Sequence, residues 1–250
     1  MKIVALIPAR MAASRFPGKP LAPILGMPMI EHVRRRVALS KALDEVVVAT
    51  CDEEIMKVVS DAGGRVIMTS DSHERCTDRI AEAALKIDAD VIINVQGDEP
   101  LVMPEMLDKV VSPLRNDDTL PSVNLATPIT DREEFENPNV VKVVMDRFQD
   151  ALYFSREPIP SGKKACMNNY LKLKQLGIIA FRSDFLQDFT RLEPTPIEKI
   201  ESVDMMRALE HGYRVKIITV ESEMIGVDVP GDIGRVEKAL VSDPLVKEYR

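Results

Sequence analysis

Apolar runs alternate with amphipathic segments through the first half of this 250-residue chain, and that alternation limits its fold more than any other feature. The predicted strands are Ile3–Ile7, Glu45–Thr50, Arg65–Thr69 and Asp90–Val95, and the helices between them are Met29–Ser40, Asp52–Ala62 and Thr77–Leu85, with Asp52 as an N-cap. Strands that alternate with helices form parallel sheets covered on both faces. The sequence therefore predicts an α/β fold whose central sheet is mostly parallel, with helices on both faces.

The pattern changes at Ser122, after one more predicted helix at Met103–Leu114. The later predicted strands are Val123–Pro128, Val140–Met145, Ala151–Ser155, Gln175–Arg182 and Val215–Val220, and the later helices are Ser183–Arg191, Ile197–His211 and Gly231–Ser242. Because few helices separate the first of these strands, we expect a mixed or antiparallel edge on the sheet. The length is compatible with one domain spanning residues 1–250.

The loop after the first predicted strand is basic, because it carries Arg10, Arg15 and Lys19 and no acidic residue. It leaves the C-terminal end of that strand, which is where open α/β sheets bind ligands. One interpretation is a cradle for a triphosphate; a solvated basic loop explains three cations equally well. The spacing of a P-loop is absent.

Two aspartates lie where they could complete such a site. Asp98 follows the strand Asp90–Val95, and Asp228 lies in a second Gly/Pro-containing segment near the end. Mg²⁺ binds through one or two carboxylates together with substrate phosphates. Taken alone, Asp98 fits a turn residue better, and Asp232 is predicted to cap the last helix. Together with the basic loop, Asp98 and Asp228 predict a magnesium–triphosphate site.

The segment from residue 69 to 79 offers further polar groups. Thr77 and the backbone at a helix start could bind a phosphate or a base edge, and Arg79 could pair with an anion, although a capped, solvated helix explains both. His73 has no evident carboxylate–serine partnership, so a catalytic triad is not expected. Cys76 is predicted to be a buried bystander thiol.

Composition narrows the class of protein. A net charge of −7 argues against non-specific nucleic-acid binding. The three cysteines Cys51, Cys76 and Cys166 are widely spaced, which favours reduced thiols in a cytoplasmic protein. No apolar stretch is long enough to span a membrane, and no signal peptide is evident, so no membrane partner is expected.

Several ordered motifs resemble those of the 3-deoxy-manno-octulosonate cytidylyltransferases (CMP-KDO synthetases). They are Ile7–Arg10 with Ser14–Leu21, Asn94–Pro100, Pro138–Val144, Ala151–Arg156, Leu176–Ile178, Ile200–Glu201 and Gly226–Pro230. The resemblance implies a nucleotide-diphospho-sugar-transferase-like fold and a homodimer with a dimerisation region near residues 150–200. It also implies a Mg²⁺-dependent transfer of CMP from CTP to a 2-keto-3-deoxy sugar acid, in lipopolysaccharide biosynthesis.

The same resemblance assigns roles to individual residues. It implies that Ala9, Arg10, Arg15, Lys19, Thr77, Arg79 and Gln96 bind the nucleotide, that Arg10, Lys19 and Asp98 are catalytic, and that Asp98 and Asp228 hold magnesium. The partners are then CTP and a small acidic acceptor.

The chain departs from the family pattern on the acceptor side. Arg75-Cys76 replaces the usual Ser-Gly, Gln175 and Ile179 replace a histidine and a tyrosine, and Asp204-Met205 replaces Glu-Gln. We expect Arg75, Arg156, Gln175, Ile179, Asp204 and Met205 to be the acceptor-binding residues.

A binding pocket that has lost hydrogen-bonding groups discriminates differently between substrates. If the substituted positions line the acceptor pocket, the sequence predicts that the protein uses KDO poorly. The alternatives are ordinary use of KDO, CMP transfer to another ulosonic acid or a phosphonate, a glycosyltransferase that uses a nucleotide sugar, and a nucleotide-binding module without turnover.

Overall fold

The computed structural model describes residues 1–12, 15–164, 170–221 and 224–250. Ser14 of the first motif and Cys166 lie outside these residues. The chain forms two compact units: unit 1 comprises Met1–Asp108 with Glu223–Arg250, and unit 2 comprises Lys109–Ser222. None of the described helices is long and apolar enough to cross a membrane.

The described part of the chain contains the following strands and helices, numbered in chain order. The strands are β1 (Ile3–Ala9), β2 (Pro23–Ile24), β3 (Met27–Pro28), β4 (Glu45–Thr50), β5 (Arg65–Met68), β6 (Val91–Val95), β7 (Ser122–Pro128), β8 (Lys142–Met145), β9 (Ala151–Ser155), β10 (Leu173–Arg182) and β11 (Val215–Thr219). The helices are α1 (Met29–Val37), α2 (Glu53–Asp61), α3 (Cys76–Ala84), α4 (Pro104–Asn116), α5 (Arg132–Glu136), α6 (Ser183–Arg191), α7 (Pro196–Glu201), α8 (Met205–Glu210), α9 (Ile233–Ser242) and α10 (Val246–Tyr249).

Unit 1 is built on parallel strands in the order β6-β1-β4-β5. Strands β1 and β6 are buried along their whole length, as is typical of central strands in a parallel sheet. In unit 2, β11 pairs with β7 in parallel, whereas β7–β10, β10–β8 and β8–β9 are antiparallel. These pairings confirm the predicted α/β fold with a mixed, mostly parallel sheet.

Two local predictions are wrong. The predicted helix Ile197–His211 is two helices, α7 and α8, because Ser202 adopts a left-handed conformation (φ 52°, ψ 49°) between them. Asp52 does precede α2, but its side chain makes no capping hydrogen bond to that helix. Its carboxylate instead accepts from the backbone N–H of Met11 at 2.8 Å, so the basic loop is tied to the end of β4.

The C-terminal segment of unit 1 docks onto α1 through buried polar side chains. The ring of His32 is 0% exposed; its Nε2 lies 2.8 Å from the carbonyl oxygen of Ile24 and its Nδ1 2.9 Å from the Tyr249 hydroxyl. The Arg36 guanidinium is also buried and donates to Asp243 at 2.5 Å. Burial lowers the pKa of His32 below its ordinary value of 6.5, and the charges of Arg250 and Arg36 lower it further.

This buried imidazole predicts acid lability. Because His32 binds its proton more weakly when folded, the unfolded chain takes up more protons below pH 6.5. We expect the free energy of unfolding to fall as pH drops through 6.5 and to level off below the folded pKa. Urea unfolding between pH 5 and 7.5 measures this. In His32→Gln the slope should be shallower, and parallel pH curves for the variant and the parent would contradict the assignment.

Candidate functional site

The candidate site of unit 1 lies where its parallel strands end. The basic loop leaves β1 and closes on itself through the Gly18 N–H, which donates to the Met11 carbonyl at 3.0 Å. Gly18 has φ 74°, a left-handed conformation that glycine adopts without strain, and a 3₁₀ turn over Lys19–Leu21 follows it. The described residues of the loop therefore hold a defined turn, and its cations lie next to the sheet edge.

The segment after β6 approaches the end of β1 very closely. A Cβ atom at Gly97 would lie 2.8 Å from the Pro8 carbonyl oxygen, so only glycine fits without a backbone shift. The next residue, Asp98, is thereby held beside the basic loop. Its carbonyl oxygen accepts from the Val227 N–H at 2.9 Å, which brings the third segment of the site alongside.

Packing and capping hold that third segment. Val227 is 1% exposed within an apolar cluster that includes Met29 and Val236 and also contacts Phe16 of the basic loop. Like Asp52 before α2, Asp232 occupies the N-cap position of α9. Its carboxylate does not cap that helix; it accepts from the N–H groups of residues 228 and 229 at 2.9 and 3.0 Å.

Ion pairs join the basic loop to both aspartates. Lys19 Nζ lies 2.6 Å from Asp98 Oδ2 and 2.9 Å from the Val227 carbonyl oxygen. Arg15 Nη2 lies 2.9 Å from Asp228 Oδ1. The Lys19 side chain is 14% exposed and Arg15 is 54% exposed, so the first pair is the more shielded from solvent. Each of the two aspartates is thus paired with one cation of the basic loop.

Most of the residues predicted for the nucleotide and metal share one cavity of about 310 Å³. Its lining includes Ala9, Arg10, Arg15, Lys19, Gln96, Asp98 and Asp228. Cys76, predicted to be a buried thiol, also lines it, as do five residues given no role from the sequence: Pro8, Phe16, Pro20, Met29 and Gly97. Phe16 and Pro20 belong to the quoted motif, but nothing in the sequence marks Met29, the first residue of α1, as part of a site.

A smaller neighbouring cavity is lined by two more of the predicted arginines. Arg75 and Arg79 line it together with Ala9, Arg10 and Cys76. Arg79 is 2% exposed, and its Nη1 donates to the Thr69 hydroxyl at 2.6 Å, whereas its Nη2 has no hydrogen-bond partner among the described residues.

The structure also places three other residues that the sequence analysis considered in this region. Cys76 is exposed rather than buried, because it is the first residue of α3 at the sheet edge. His73 does have a carboxylate partner, since its Nε2 lies 2.5 Å from Glu82. Thr77 is 3% exposed and lines neither cavity described above.

The other predicted acceptor residues lie in unit 2, and most of their side chains are engaged there. Gln175 donates to the buried Asn124 at 2.5 Å, where β10 shifts register against β7. Ile179 and Met205 are 7% and 1% exposed and belong to the core, while Asp204 precedes α8. Arg156 is half-buried and donates to three backbone carbonyl oxygens.

Comparisons with known proteins decide the family. A family model described as Cytidylyltransferase matches residues 4–218. The 3-deoxy-manno-octulosonate cytidylyltransferase of Geobacter metallireducens is 46% identical over 249 residues, covering 96% of this chain and 98% of that protein. The chain belongs to this family. The protein of the same name from Syntrophobacter fumaroxidans is 46% identical over 246 residues, covering 97% of this chain and 98% of that protein.

Solved structures agree with the family membership. A CMP:2-keto-3-deoxy-manno-octonic acid synthetase complexed with CTP superposes with a TM-score of 0.91 at 39% identity, covering 96% of this chain and 99% of that chain. A cytidylyltransferase from Leptospira borgpetersenii has a TM-score of 0.65 at 19% identity, covering 97% of this chain and 88% of that chain, which supports the fold alone. The resemblance of the sequence to this cytidylyltransferase family is confirmed.

The carboxylates of this cytidylyltransferase suit a hard cation. Asp98 and Asp228 line one cavity and supply oxygen ligands, which Mg²⁺ prefers. Among the described residues, no group of three or more His, Cys, Asp or Glu side chains could hold a metal ion. Two carboxylates completed by substrate phosphates are the usual pattern for Mg²⁺, so the donor set fits that ion.

Proposed function

We propose that this protein transfers CMP from CTP to 3-deoxy-manno-octulosonate (KDO) and releases pyrophosphate. The observation that carries the proposal is the 46% identity to a 3-deoxy-manno-octulosonate cytidylyltransferase over nearly the whole chain. The cavity of unit 1 that is lined by arginine, lysine and aspartate side chains supports it. Family membership also disfavours a nucleotide-sugar-dependent glycosyltransferase.

The reaction is an attack of an acceptor oxygen on the α-phosphorus of CTP, in which the bond to the β-phosphate oxygen breaks. Such transfers need positioning and charge neutralisation more than covalent help. Arg10, Arg15 and Lys19 would bind the phosphates and offset the charge that grows on pyrophosphate. Because Arg15 and Lys19 already pair with Asp228 and Asp98, CTP would exchange those partners for phosphate oxygens.

We propose that Asp98 and Asp228 hold the magnesium ion. Their oxygens would hold an ion that would neutralise phosphate charge and orient the reacting oxygens. The chain's own contribution is to keep the two carboxylates in one cavity. The Gly97 backbone beside Pro8 and the buried Val227 side chain fix their segments.

KDO is the acceptor that the observations favour over another acid. Of the positions that depart from the family pattern, Ile179 and Met205 are packed in the core of unit 2, and Gln175 is bonded to Asn124. These interactions give each side chain a structural role, so their divergence is compatible with unchanged specificity. Arg75 lines the same cavity as Arg79, whose Nη2 has no hydrogen-bond partner in the described part of the chain, and it adds positive charge that suits an acidic acceptor.

Pyrophosphate release tests the function with CTP, Mg²⁺ and a panel of acceptors: KDO, another ulosonic acid and a phosphonate. We expect release with KDO that exceeds release with the other acids, and weaker activity when CTP is replaced by ATP, GTP or UTP. Faster turnover with another acid would indicate that the positions that differ from the family pattern determine acceptor specificity. No release with any acceptor would contradict the proposal.

We also propose that the protein is a homodimer and acts in the cytoplasm, where CTP is available. Large apolar side chains are exposed in and beside the predicted dimerisation region: Phe148, Leu152 and Leu171 are 61%, 61% and 55% exposed. Exposed apolar side chains of this size are typical of interaction surfaces when they form a patch. Light scattering coupled to size-exclusion chromatography measures the mass and should give twice that of the chain.

A further inference from the structure

Arg156 follows β9 in unit 2, and its guanidinium is held by backbone oxygens. Nε donates to the carbonyl of Glu201 at 2.6 Å, Nη1 to that of Pro138 at 2.9 Å and Nη2 to that of Ser202 at 3.2 Å. A guanidinium has five N–H donors in a rigid fork. Within the described chain, one N–H on each terminal nitrogen therefore remains for a ligand, and the plane of the fork is fixed.

The backbone of Arg156 is fixed on both sides as well. Its N–H donates to Glu201 Oε2 at 2.8 Å. Its carbonyl accepts from Lys142 Nζ at 2.5 Å, and that lysine is 0% exposed and also donates to the carbonyls of Asn137 and Val140. Burial lowers the pKa of Lys142. Main chain and side chain of Arg156 are thus both held by neighbouring groups.

Glu201 contributes to Arg156 through both its side chain and its backbone. Its Oε1 accepts from the hydroxyls of Tyr153 and Ser155 at 3.0 and 2.9 Å. Burial acts to raise the pKa of Glu201, but these hydroxyls and the Arg156 N–H lower it overall. Glu201 ends α7, and the left-handed Ser202 breaks the helix there, so the carbonyls of both residues are available to Arg156.

We propose that Glu201 is a positioning residue that fixes the Arg156 guanidinium in one orientation for the carboxylate of the acceptor. The proposal rests on the proposed function and on the expectation, from the sequence, that Arg156 is one of the acceptor-binding residues. A guanidinium that is oriented before binding loses less conformational freedom when it forms two parallel hydrogen bonds to a carboxylate. Glu201 has no assigned contact with the acceptor, so its effect passes through Arg156.

Steady-state kinetics of the full-length enzyme with KDO and CTP test this. In Glu201→Gln an amide NH₂ replaces one of the two carboxylate oxygens that accept hydrogen bonds. This NH₂ must then face either the Arg156 N–H or the hydroxyls of Tyr153 and Ser155. We expect the KM for KDO to rise by about tenfold or more, because a misplaced binding group weakens contacts steeply, while the KM for CTP stays unchanged. The double variant Tyr153→Phe/Ser155→Ala loosens the same carboxylate without altering Glu201 and should shift the KM for KDO in the same direction.

Two comparisons separate positioning from a purely structural role. Glu210→Gln is the matched control, because Glu210 also accepts from backbone N–H groups, those of residues 197 and 198, without contact to Arg156; it should leave the KM for KDO unchanged. In an Arg156→Lys background, Glu201→Gln should add no more than about twofold, since it acts through the guanidinium.

The proposal is overturned by a loss of kcat with both KM values unchanged, by additive effects of Arg156→Lys and Glu201→Gln, or by an equal effect of Glu210→Gln. Turnover of the parent enzyme with KDO reports on the proposed function separately, so the two failures are distinguishable.

Discussion

Lys19→Ala should lower kcat/KM for CTP by roughly 30- to 1000-fold, which corresponds to about 2–4 kcal/mol of transition-state stabilisation. The side chain of Lys19 is only 14% exposed, and its Nζ contacts both Asp98 and the Val227 carbonyl, where it would contact the departing pyrophosphate. A charge-assisted contact at a shielded position is worth more than a surface ion pair. Initial rates of pyrophosphate release at varied CTP concentration measure the change.

Lys86→Ala is the matched control for that variant. Lys86 also donates its Nζ to a backbone carbonyl of unit 1, that of Met68, but it lies outside both cavities. We expect its kcat/KM to equal that of the parent and both variants to keep the parent's circular dichroism. Unchanged kcat/KM in Lys19→Ala would refute the assignment of the basic loop to the phosphates.

Asp98→Asn and Asp228→Asn should each remove Mg²⁺-dependent turnover, with kcat reduced by about two orders of magnitude or more, because a neutral amide is a poor ligand for a hard cation. Addition of EDTA to the parent enzyme should abolish activity, and excess Mg²⁺ should restore it. Titration of activity with Mg²⁺ gives the concentration for half-maximal rate in each variant.

Asp90→Asn supplies the comparison, since the exposed Asp90 carboxylate contacts the Lys2 N–H and the Met1 amino group and lines neither cavity. Its magnesium optimum should match that of the parent. If Asp228→Asn melted at a lower temperature yet kept a normal magnesium optimum, Asp228 would be structural and Asp98 would lack its proposed partner.

The sequence predicts the strands well because their signal is local. The buried runs of β1, β4 and β6 are continuous and apolar, and the structure reproduces their positions to within two residues. The same logic places Arg10, Lys19 and Asp98 together, since loops after parallel strands share one sheet edge. These parts of the fold and site could be inferred without coordinates.

Other features depend on tertiary contacts that no local pattern encodes. The apolar periodicity of residues 197–211 continues through Ser202, so the helix break follows from the surroundings of that residue rather than from its type. Aspartate is a common N-cap residue, but the carboxylate of Asp52 accepts a hydrogen bond from the Met11 N–H instead. The hydrogen bond from Gln175 to Asn124 likewise joins residues that are far apart in the sequence.

The acceptor side shows the limit of prediction by resemblance. The family pattern marks Gln175, Ile179 and Met205 as departures but cannot say which neighbours their side chains meet. Burial of Ile179 and Met205 shows that two of these three changes lie in the core. Glu201 gave no signal of its own beyond its place in a motif, and only the hydrogen bonds to Arg156 reveal how the two residues interact.

The proposed reaction joins CMP to KDO, and chemical identification of the product shows whether it does. ³¹P NMR together with mass spectrometry of a reaction containing CTP, KDO, Mg²⁺ and the enzyme should show pyrophosphate and an equal amount of a CMP phosphodiester whose mass includes KDO. Pyrophosphate accompanied by unmodified CMP, or CTP that remains intact, would contradict the account.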